Sequence, residues 1–286
     1  MQQVELGRTS ETIPQIGVGT WNFKGDPGLL RKAVDLGASL IDTAEYYQNE
    51  ELVGQAIRDI RSRVFVATKV NHWRRSDVMR SAEDSLRKLG VECIDLYQLH
   101  WPNGAVPLLE TMSAMEDLVD QGKVRFLGVS NFSISEMKAA QRVLRRAKIV
   151  SNQVRYSLIE RTIEARLLSH CQREGITIMA YSPLGHSFSQ ILANDRFRTL
   201  QSIAQEIGKS PAQVALNWCV RHFGVMAIPK TESQTHLTEN CSSSGWRLTD
   251  DQINRLDRHV RFRRRSGAEL VLRRIARNAF QRFRTS

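Results

Sequence analysis

Apolar and polar residues follow two rhythms along this chain, and the rhythms take turns. Short, nearly unbroken apolar runs are the pattern of strands buried on both faces. They predict strands at Ile16–Gly19, Ser39–Ile41, Val64–Thr68, Ile94–Leu99, Phe126–Val129, Val150–Gln153, Ile176–Ala180 and Val225–Ile228. Between them, apolar positions spaced three and four apart predict amphipathic helices. These are Asn49–Arg58, Ser76–Lys88, Pro107–Gln121, Ser133–Ala147, Ile163–Glu174, Arg196–Ile207 and Pro211–His222. Two of them stop at a glycine, Gly122 and Gly175, the residue that most easily turns the chain out of a helix. Val4–Gly7 and Thr12–Pro14 predict a small hairpin ahead of the first strand.

Repeated β–α units call for a parallel sheet. Eight of them, with no linker rich in Gly, Ser or Pro between halves, predict an α/β fold closed into a (β/α)8 TIM barrel. The barrel is expected over residues 1–260, with a basic and helical C-terminal extension over 261–286. A chain of 286 residues is long enough for one such domain. Apolar residues at 41% and charged residues at 25% exclude general disorder. No apolar run reaches membrane-spanning length. The start, Met1-Gln2-Gln3-Val4-Glu5, lacks the basic and apolar pattern of a secretory signal, so a cytoplasmic setting is expected. Cys93, Cys171, Cys219 and Cys241 form neither a CxxC pair nor a metal spacing, and no metal is expected.

In a barrel of this kind, chemistry gathers where strands end. The residues just past the predicted strands are coherent: Asp42 and Tyr47, Lys69, His100, Ser130 and Asn131, Gln153, Tyr181 and Ser182, and Lys230. Alone, each would pass for a loop cap, a rim residue or a salt bridge. Together on one rim they form a proton-transfer set. A free phenol titrates near 10 and is a poor acid at neutral pH. An adjacent ammonium would favour the phenolate and lower that value, and an aspartate would hold the ammonium charged. Tyr47 is then a general acid, and a neutral His100 can hold a substrate oxygen by a hydrogen bond. Nothing in the set is a redox centre, so it requires a hydride donor.

At these positions the chain resembles the aldo-keto reductase family. The resemblance runs from about residue 4 to residue 258 and is carried by motifs in order: Gly17-Val18-Gly19-Thr20-Trp21, Ile41-Asp42-Thr43-Ala44-Glu45-Tyr46-Tyr47, Ala67-Thr68-Lys69, Asp95-Leu96-Tyr97-Gln98-Leu99-His100-Trp101-Pro102, Gly128-Val129-Ser130-Asn131-Phe132, Ser151-Asn152-Gln153-Val154, Ala180-Tyr181-Ser182-Pro183-Leu184-Gly185 and Ile228-Pro229-Lys230. The resemblance implies an enzyme that reduces aldehydes or ketones with NADPH. It implies Asp42, Tyr47, Lys69 and His100 as the tetrad. It selects Tyr47 over Tyr46, because the family's proton donor stands five residues past the aspartate. It also implies that Tyr181 stacks on nicotinamide, that Ser130, Asn131 and Gln153 hold its carboxamide, and that Ser182 and Leu184 lie by the pyrophosphate. Lys230, Thr231 and His236 fall near the 2′-phosphate, and Glu239 and Asn240 near adenine.

Two departures stand out. His236 occupies a position where many NADPH-selective members have arginine, and a neutral imidazole lacks the charge and planar fork of a guanidinium. Use of NADH beside NADPH is therefore expected. Gln48 stands where glycine often follows the tyrosine. The Gly17-x-Gly19 pair lacks a third glycine, since Asn22 is there, which disfavours a Rossmann phosphate loop.

Trp21 and Trp101 are expected to frame the substrate carbonyl. Phe23 fits a pocket role and a packing role equally. The loop from Trp101 to Pro107 is short, and no arginine stands out as a grip for a carboxylate. Small aldehydes such as α-oxoaldehydes, or sugar-derived ketones, are the expected substrates, and a monomer is the expected state.

The net charge of +11 is uneven. Residues 261–286 hold nine arginines and one acid, Glu269, which leaves +3 for the rest. Leu270–Arg284 predicts an amphipathic helix, with Leu272, Ile275, Ala276, Ala279, Phe280 and Phe283 at helical spacing. The plainest expectation is a helix packed on the barrel with its arginines solvated. The sharper one is contact with an anionic surface or acidic partner. Nucleic acid is disfavoured, because no aromatic residue is interleaved in the manner of a base-stacking site. A second function class fits the same features: an NADPH-binding redox sensor acting through the tail. An intact proton donor argues against it.

Overall fold

The computed structural model describes residues 1–273, 275 and 276. Two short strands, β1 (Gln3–Glu5) and β2 (Thr12–Pro14), form an antiparallel hairpin. Eight parallel strands follow: β3 (Val18–Gly19), β4 (Leu40–Asp42), β5 (Phe65–Val70), β6 (Ile94–Leu99), β7 (Val124–Ser130), β8 (Ile149–Arg155), β9 (Thr177–Tyr181) and β10 (Val225–Ile228). Each pairs with its sequence neighbours. Ile16 pairs with Ala227, and the Gly17 and Gly19 amides donate to Ala227 and Pro229 at 2.9 and 3.1 Å, which closes the barrel. The glycine pair serves that seam. A Cβ on Gly19 would meet the Ile228 carbonyl at 2.8 Å, so a side chain there would push the first and last strands apart.

Apolar residues fill two spaces. Leu40, Phe65, Ala67, Leu96, Val150, Met179 and Met226 pack inside the barrel together with Leu6 and Ile13 from the hairpin region, which plugs the N-terminal end. A larger layer lies between sheet and helices. The helices are α1 (Pro27–Asp35), α2 (Glu50–Ile57), α3 (Arg75–Leu89), α4 (Leu108–Asp120), α5 (Ile134–Val143), α6 (Leu167–Glu174), α7 (Phe188–Asn194), α8 (Thr199–Ile207), α9 (Pro211–Cys219), α10 (Gln234–Cys241) and α11 (Asp250–His259).

Where expected helices end differently, a polar side chain decides. The helix expected over Ser133–Ala147 stops at Val143, because the Glu116 carboxylate accepts the amides of Arg145, Arg146 and Ala147 at 2.8 to 3.1 Å. The one expected from Arg196 starts at Thr199, where Asp195 accepts the amides of Thr199 and Leu200 at 2.8 and 2.7 Å. Ile163–Glu174 divides into a 3-10 turn, Thr162–Ala165, and α6, with Arg166 out of helical geometry between them. Helices α1, α7, α10 and α11 have no counterpart in the expected set.

Past α11 the chain runs along the loop that follows β8. The Arg263 amide donates to Ile159 and its carbonyl accepts from Arg161, both at 2.9 Å. Arg264 pairs with Glu164 at 2.8 Å, Arg265 with Glu160 at 2.9 Å and Arg263 with Glu269 at 2.6 Å. The expectation of solvated arginines holds for Arg263 and Arg264, whose side chains are 57 and 52% exposed although each meets an acid, and is corrected for Arg265, at 13%. Residues 267–273 are helical, three residues ahead of the expected start at Leu270. Leu272 and Ile275 stay exposed on this segment. The remainder of the expected helix, with Ala279, Phe280 and Phe283, lies outside the described residues.

Candidate active site

The C-terminal ends of the strands open into a cavity of about 2150 Å3. Asp42, Tyr47, His100, Ser130, Asn131, Gln153, Tyr181, Ser182, Leu184, Lys230, Thr231, His236, Glu239, Asn240, Trp21 and Trp101 all line it. Lys69 lies beneath, fully buried. Every residue expected at the site is thus on or directly under one surface. Phe23 is not: it is buried in the layer between sheet and helices, which settles it as packing.

Lys69 is in β5, and its Nζ donates to Asp42 Oδ2 at 2.6 Å and to the Thr43 carbonyl at 2.7 Å. Asp42 Oδ1 accepts from Gln153 Nε2 at 2.7 Å and from Gln98 Nε2 at 3.2 Å. A buried carboxylate with one cation and two amide donors is well satisfied. Burial disfavours the Lys69 ammonium, but Asp42 and Tyr47, through charge and hydrogen bonds together, outweigh it and the pKa is raised. Lys69 stays charged.

Tyr47 ends the 3-10 turn Glu45–Tyr47, and the Lys69 Nζ lies 4.9 Å from its ring centroid. Here the expected direction is corrected. Burial raises the Tyr47 pKa more than the Lys69 charge lowers it, and Asp42 adds to the rise. The ammonium offsets part of a desolvation penalty; it does not bring the phenol below its ordinary value. The hydroxyl holds its proton. Tyr46, by contrast, is 60% exposed and has no such surroundings.

The His100 and Tyr47 rings meet edge to face at 5.8 Å. Burial, aided by the Lys69 charge, lowers the His100 pKa to about 3, so the ring is neutral. Its Nδ1 is buried without a partner. Trp101 stacks beside it at 6.3 Å, and Trp73 Nε1 fixes the Trp101 backbone through its carbonyl at 2.9 Å. Trp21 is half exposed at the rim.

Tyr181 ends β9, and its hydroxyl donates to Asn131 Oδ1 at 3.0 Å. Asn131 Nδ2 donates to Ser130 Oγ at 2.9 Å, and Ser130 Oγ donates to the Gln153 carbonyl at 3.0 Å. These side chains make one connected polar edge beside the phenol. Farther along, Lys230 pairs with Glu232 at 2.8 Å, and α10 presents exposed His236 and buried Asn240. Asn22, Gln48, Asn131 and Ser182 have φ of 54, 56, 63 and 49°. Asn22, Asn131 and Ser182 line the cavity past strand ends, and Gln48 closes the turn that carries Tyr47; all four lie in a backbone region most side chains avoid. Gln48 therefore occupies a conformation that suits glycine.

Sequence reasoning missed Gln98, Arg155, Trp73 and the tail's place at the cavity edge. Gln98 was within reach: it is two residues before His100 in β6, on the same face of a strand whose neighbours are apolar. Leu270, Val271 and Arg273 edge the cavity only because the tail folds back over it, which no local pattern shows.

Comparison with known proteins agrees with this geometry. A sequence profile of the aldo/keto reductase family matches residues 15–261. Methylglyoxal reductase YeaE of Escherichia coli is 37% identical over 262 residues, covering 86% of this chain and 91% of its own. The thermostable aldo-keto reductase Tm1743, solved with the inhibitor epalrestat, superposes with a TM-score of 0.84 at 40% identity, over 90% of this chain and 99% of that one. An aldo/keto reductase of Klebsiella pneumoniae, solved with NADP and acetate, gives 0.83 at 36% identity, over 93% and 97%. With the strand order, the buried lysine–aspartate pair and the phenol on the barrel rim all in place, the chain belongs to the aldo/keto reductase family.

Proposed function

We propose that this protein is a carbonyl reductase that prefers NADPH, accepts NADH, and uses Tyr47 as its general acid. One observation carries the reading: a protonated phenol stands over a buried, charged Lys69–Asp42 pair and beside a neutral imidazole, at the floor of a cavity large enough for a dinucleotide and a substrate.

The residues present fit the dinucleotide. Tyr181 offers a ring, the Ser130–Asn131–Gln153 edge offers amide and hydroxyl groups suited to a carboxamide, and Lys230, Thr231, His236, Glu239 and Asn240 offer a polar far end. When bound, the reduced nicotinamide supplies hydride. The protein does the rest. His100, neutral and with its Nδ1 buried, orients the substrate carbonyl oxygen by a hydrogen bond from its other ring nitrogen, Nε2. Tyr47 donates its proton to that oxygen as charge develops there. Lys69 stabilises the phenolate left behind, and Asp42, held by Gln98 and Gln153, keeps Lys69 in place. Trp21 and Trp101 wall the substrate end and help exclude water.

The cavity's aromatic mouth and the similarity to a methylglyoxal reductase favour small α-oxoaldehydes as substrates. His236 in place of a stronger cation favours tolerance of NADH. The test is loss of nicotinamide absorbance with a panel of aldehydes, ketones and sugars, in wild type, Tyr47→Phe and Tyr46→Phe. Tyr47→Phe is expected to lose orders of magnitude in kcat while still binding NADPH, and Tyr46→Phe to lose little. Full activity in Tyr47→Phe would remove the phenol from the acid role.

A further inference from the structure

Arg155 closes β8 two residues past Gln153, so both side chains leave the strand on the same face. Its guanidinium lies 5.9 Å from the Tyr181 ring centroid, and its Nη2 donates to His186 Nε2. Its Nε is buried with no partner. The neighbouring arginines are treated differently. Arg265, which also acts on Tyr181, pairs with Glu160 at 2.9 Å and reaches Glu269 at 3.3 Å. Arg161 pairs with Asp257 at 2.5 Å and Arg221 with Glu164 at 3.1 Å. Among the described residues, Arg155 has no carboxylate in ion-pair reach. It rests instead on an imidazole that must be neutral to accept its hydrogen bond. A half-buried guanidinium facing a cavity without a counter-charge is destabilising unless an anion arrives to meet it.

The position of the pair indicates which anion. His186 directly follows the turn in which the Gly185 amide donates to the Ser182 carbonyl at 2.9 Å. That turn rises from Tyr181, at the nicotinamide end of the proposed cofactor path. Lys230 and Asn240 lie at the other end. A dinucleotide stretched between them carries its diphosphate past this turn. Lys230 is engaged by Glu232; Lys138 and Arg166 also line the cavity outside the ion pairs of the described residues, but Arg155 is the cation set against the Tyr181 ring from which this turn rises.

We propose that Arg155 binds the diphosphate of the dinucleotide with its guanidinium fork, and that His186 is a positioning residue that holds the fork in the orientation that receives it. The proposal rests on the reductase reading above. A guanidinium matches two phosphate oxygens at once and makes charge-assisted hydrogen bonds that a lysine or glutamine cannot reproduce.

The test is NADPH binding, read by quenching of intrinsic tryptophan fluorescence, in wild type, R155Q, R155K and H186A, each first checked for a wild-type melting profile. R155Q is expected to weaken NADPH about 10- to 100-fold and to flatten the salt dependence of binding. R155K should recover part of the affinity, and H186A should lose less than R155Q. R155Q should also lower kcat/KM equally for 4-nitrobenzaldehyde and 4-carboxybenzaldehyde at saturating NADPH, or leave both unchanged. An NADPH affinity within twofold of wild type in both R155Q and R155K overturns the proposal. So does a loss confined to 4-carboxybenzaldehyde, which would make Arg155 a reader of substrate charge. A wild-type protein that fails to bind NADPH would instead sink the reductase reading itself, so the two failures are distinguishable.

Discussion

Replacing Lys69 by methionine removes the cation from the Lys69–Asp42 pair while nearly preserving its volume. Both partners are buried, at 0 and 2% side-chain exposure. Asp42 would keep only Gln98 and Gln153 as donors, at 3.2 and 2.7 Å. A buried carboxylate without its cation costs about 3–5 kcal/mol. Asp42→Asn leaves the ammonium without its counter-charge, still donating to the Thr43 carbonyl at 2.7 Å and facing Tyr47, and should cost a similar amount. The double variant buries no charge at all, and the asparagine still offers an oxygen to the two glutamines. Its loss should therefore fall well short of the sum of the single losses, by about 3 kcal/mol. Guanidinium unfolding midpoints measure this directly. In a thermal melt, each single substitution should lower Tm by on the order of 10 °C. Activity separates stability from chemistry: Lys69→Met and the double variant should be nearly inactive, because neither supplies the ammonium that stabilises the Tyr47 phenolate, whereas Asp42→Asn keeps the ammonium without its anchor and should lose less. Single losses that add to within about 0.5 kcal/mol in the double variant would show that the pair is not an electrostatic unit.

Because burial raises the Tyr47 pKa above 10, the acid form persists through neutral pH. The kcat/KM for carbonyl reduction should be flat there and fall only at strongly alkaline pH, and a limb near 7 traced to Tyr47 would contradict this. His100 titrates at about 3 in the fold and near 6.5 when unfolded, so between those values the unfolded chain binds more protons. Its share of stability is present above 6.5 and is lost as pH falls toward 3, at about 1.4 kcal/mol per pH unit at most; wild type minus His100→Gln should show that slope, and parallel curves would refute it. Gln48→Gly should relieve the φ of 56° and stabilise by about 0.5–1 kcal/mol in urea unfolding, whereas Gln48→Ala should gain nothing. Equal stability in the two variants would show that the conformation carries no strain.

Much of the barrel is legible in the chain because two periodicities report burial directly. Thr12–Pro14, Ile94–Leu99 and Val225–Ile228 match the observed strands to the residue. Helix ends are harder to read. Glu116 terminates α5 from 29 residues away, and a local window cannot contain it. Helices α1 and α11 did carry readable signals: Asp26 caps α1 ahead of Pro27, and Thr249 and Gln252 form a capping box. Asp42, Lys69 and His100 were readable because each is a polar group at the end of an apolar strand, and Tyr47, at the end of a 3-10 turn, was told from Tyr46 only by the family's spacing. The sign of the Tyr47 shift was not, because it balances burial against charge, and burial is a property of the folded rim. Arg155 was hidden for a similar reason. Its want of a carboxylate becomes visible only when the partners of Arg161, Arg221 and Arg265 are known.

The same rim shows how the fold sustains an arrangement that opposes stability. Three strained backbone positions, a desolvated ion pair and an unpartnered imidazole nitrogen surround one cavity. Each would cost on the order of 1–3 kcal/mol in isolation. They persist because the strands that present them are fixed on both faces, by side chains such as Leu40, Ala67 and Leu96 inside and by the helix layer outside. Asn131 and Ser182 cannot relax without breaking the link from Tyr181 through Asn131 to Ser130. The strain thus buys orientation: it aims polar groups at the space over Tyr47, where a relaxed loop would turn them toward water. On that account the rim should be the least stable part of the barrel and the most chemically defined, and the two properties have a single cause.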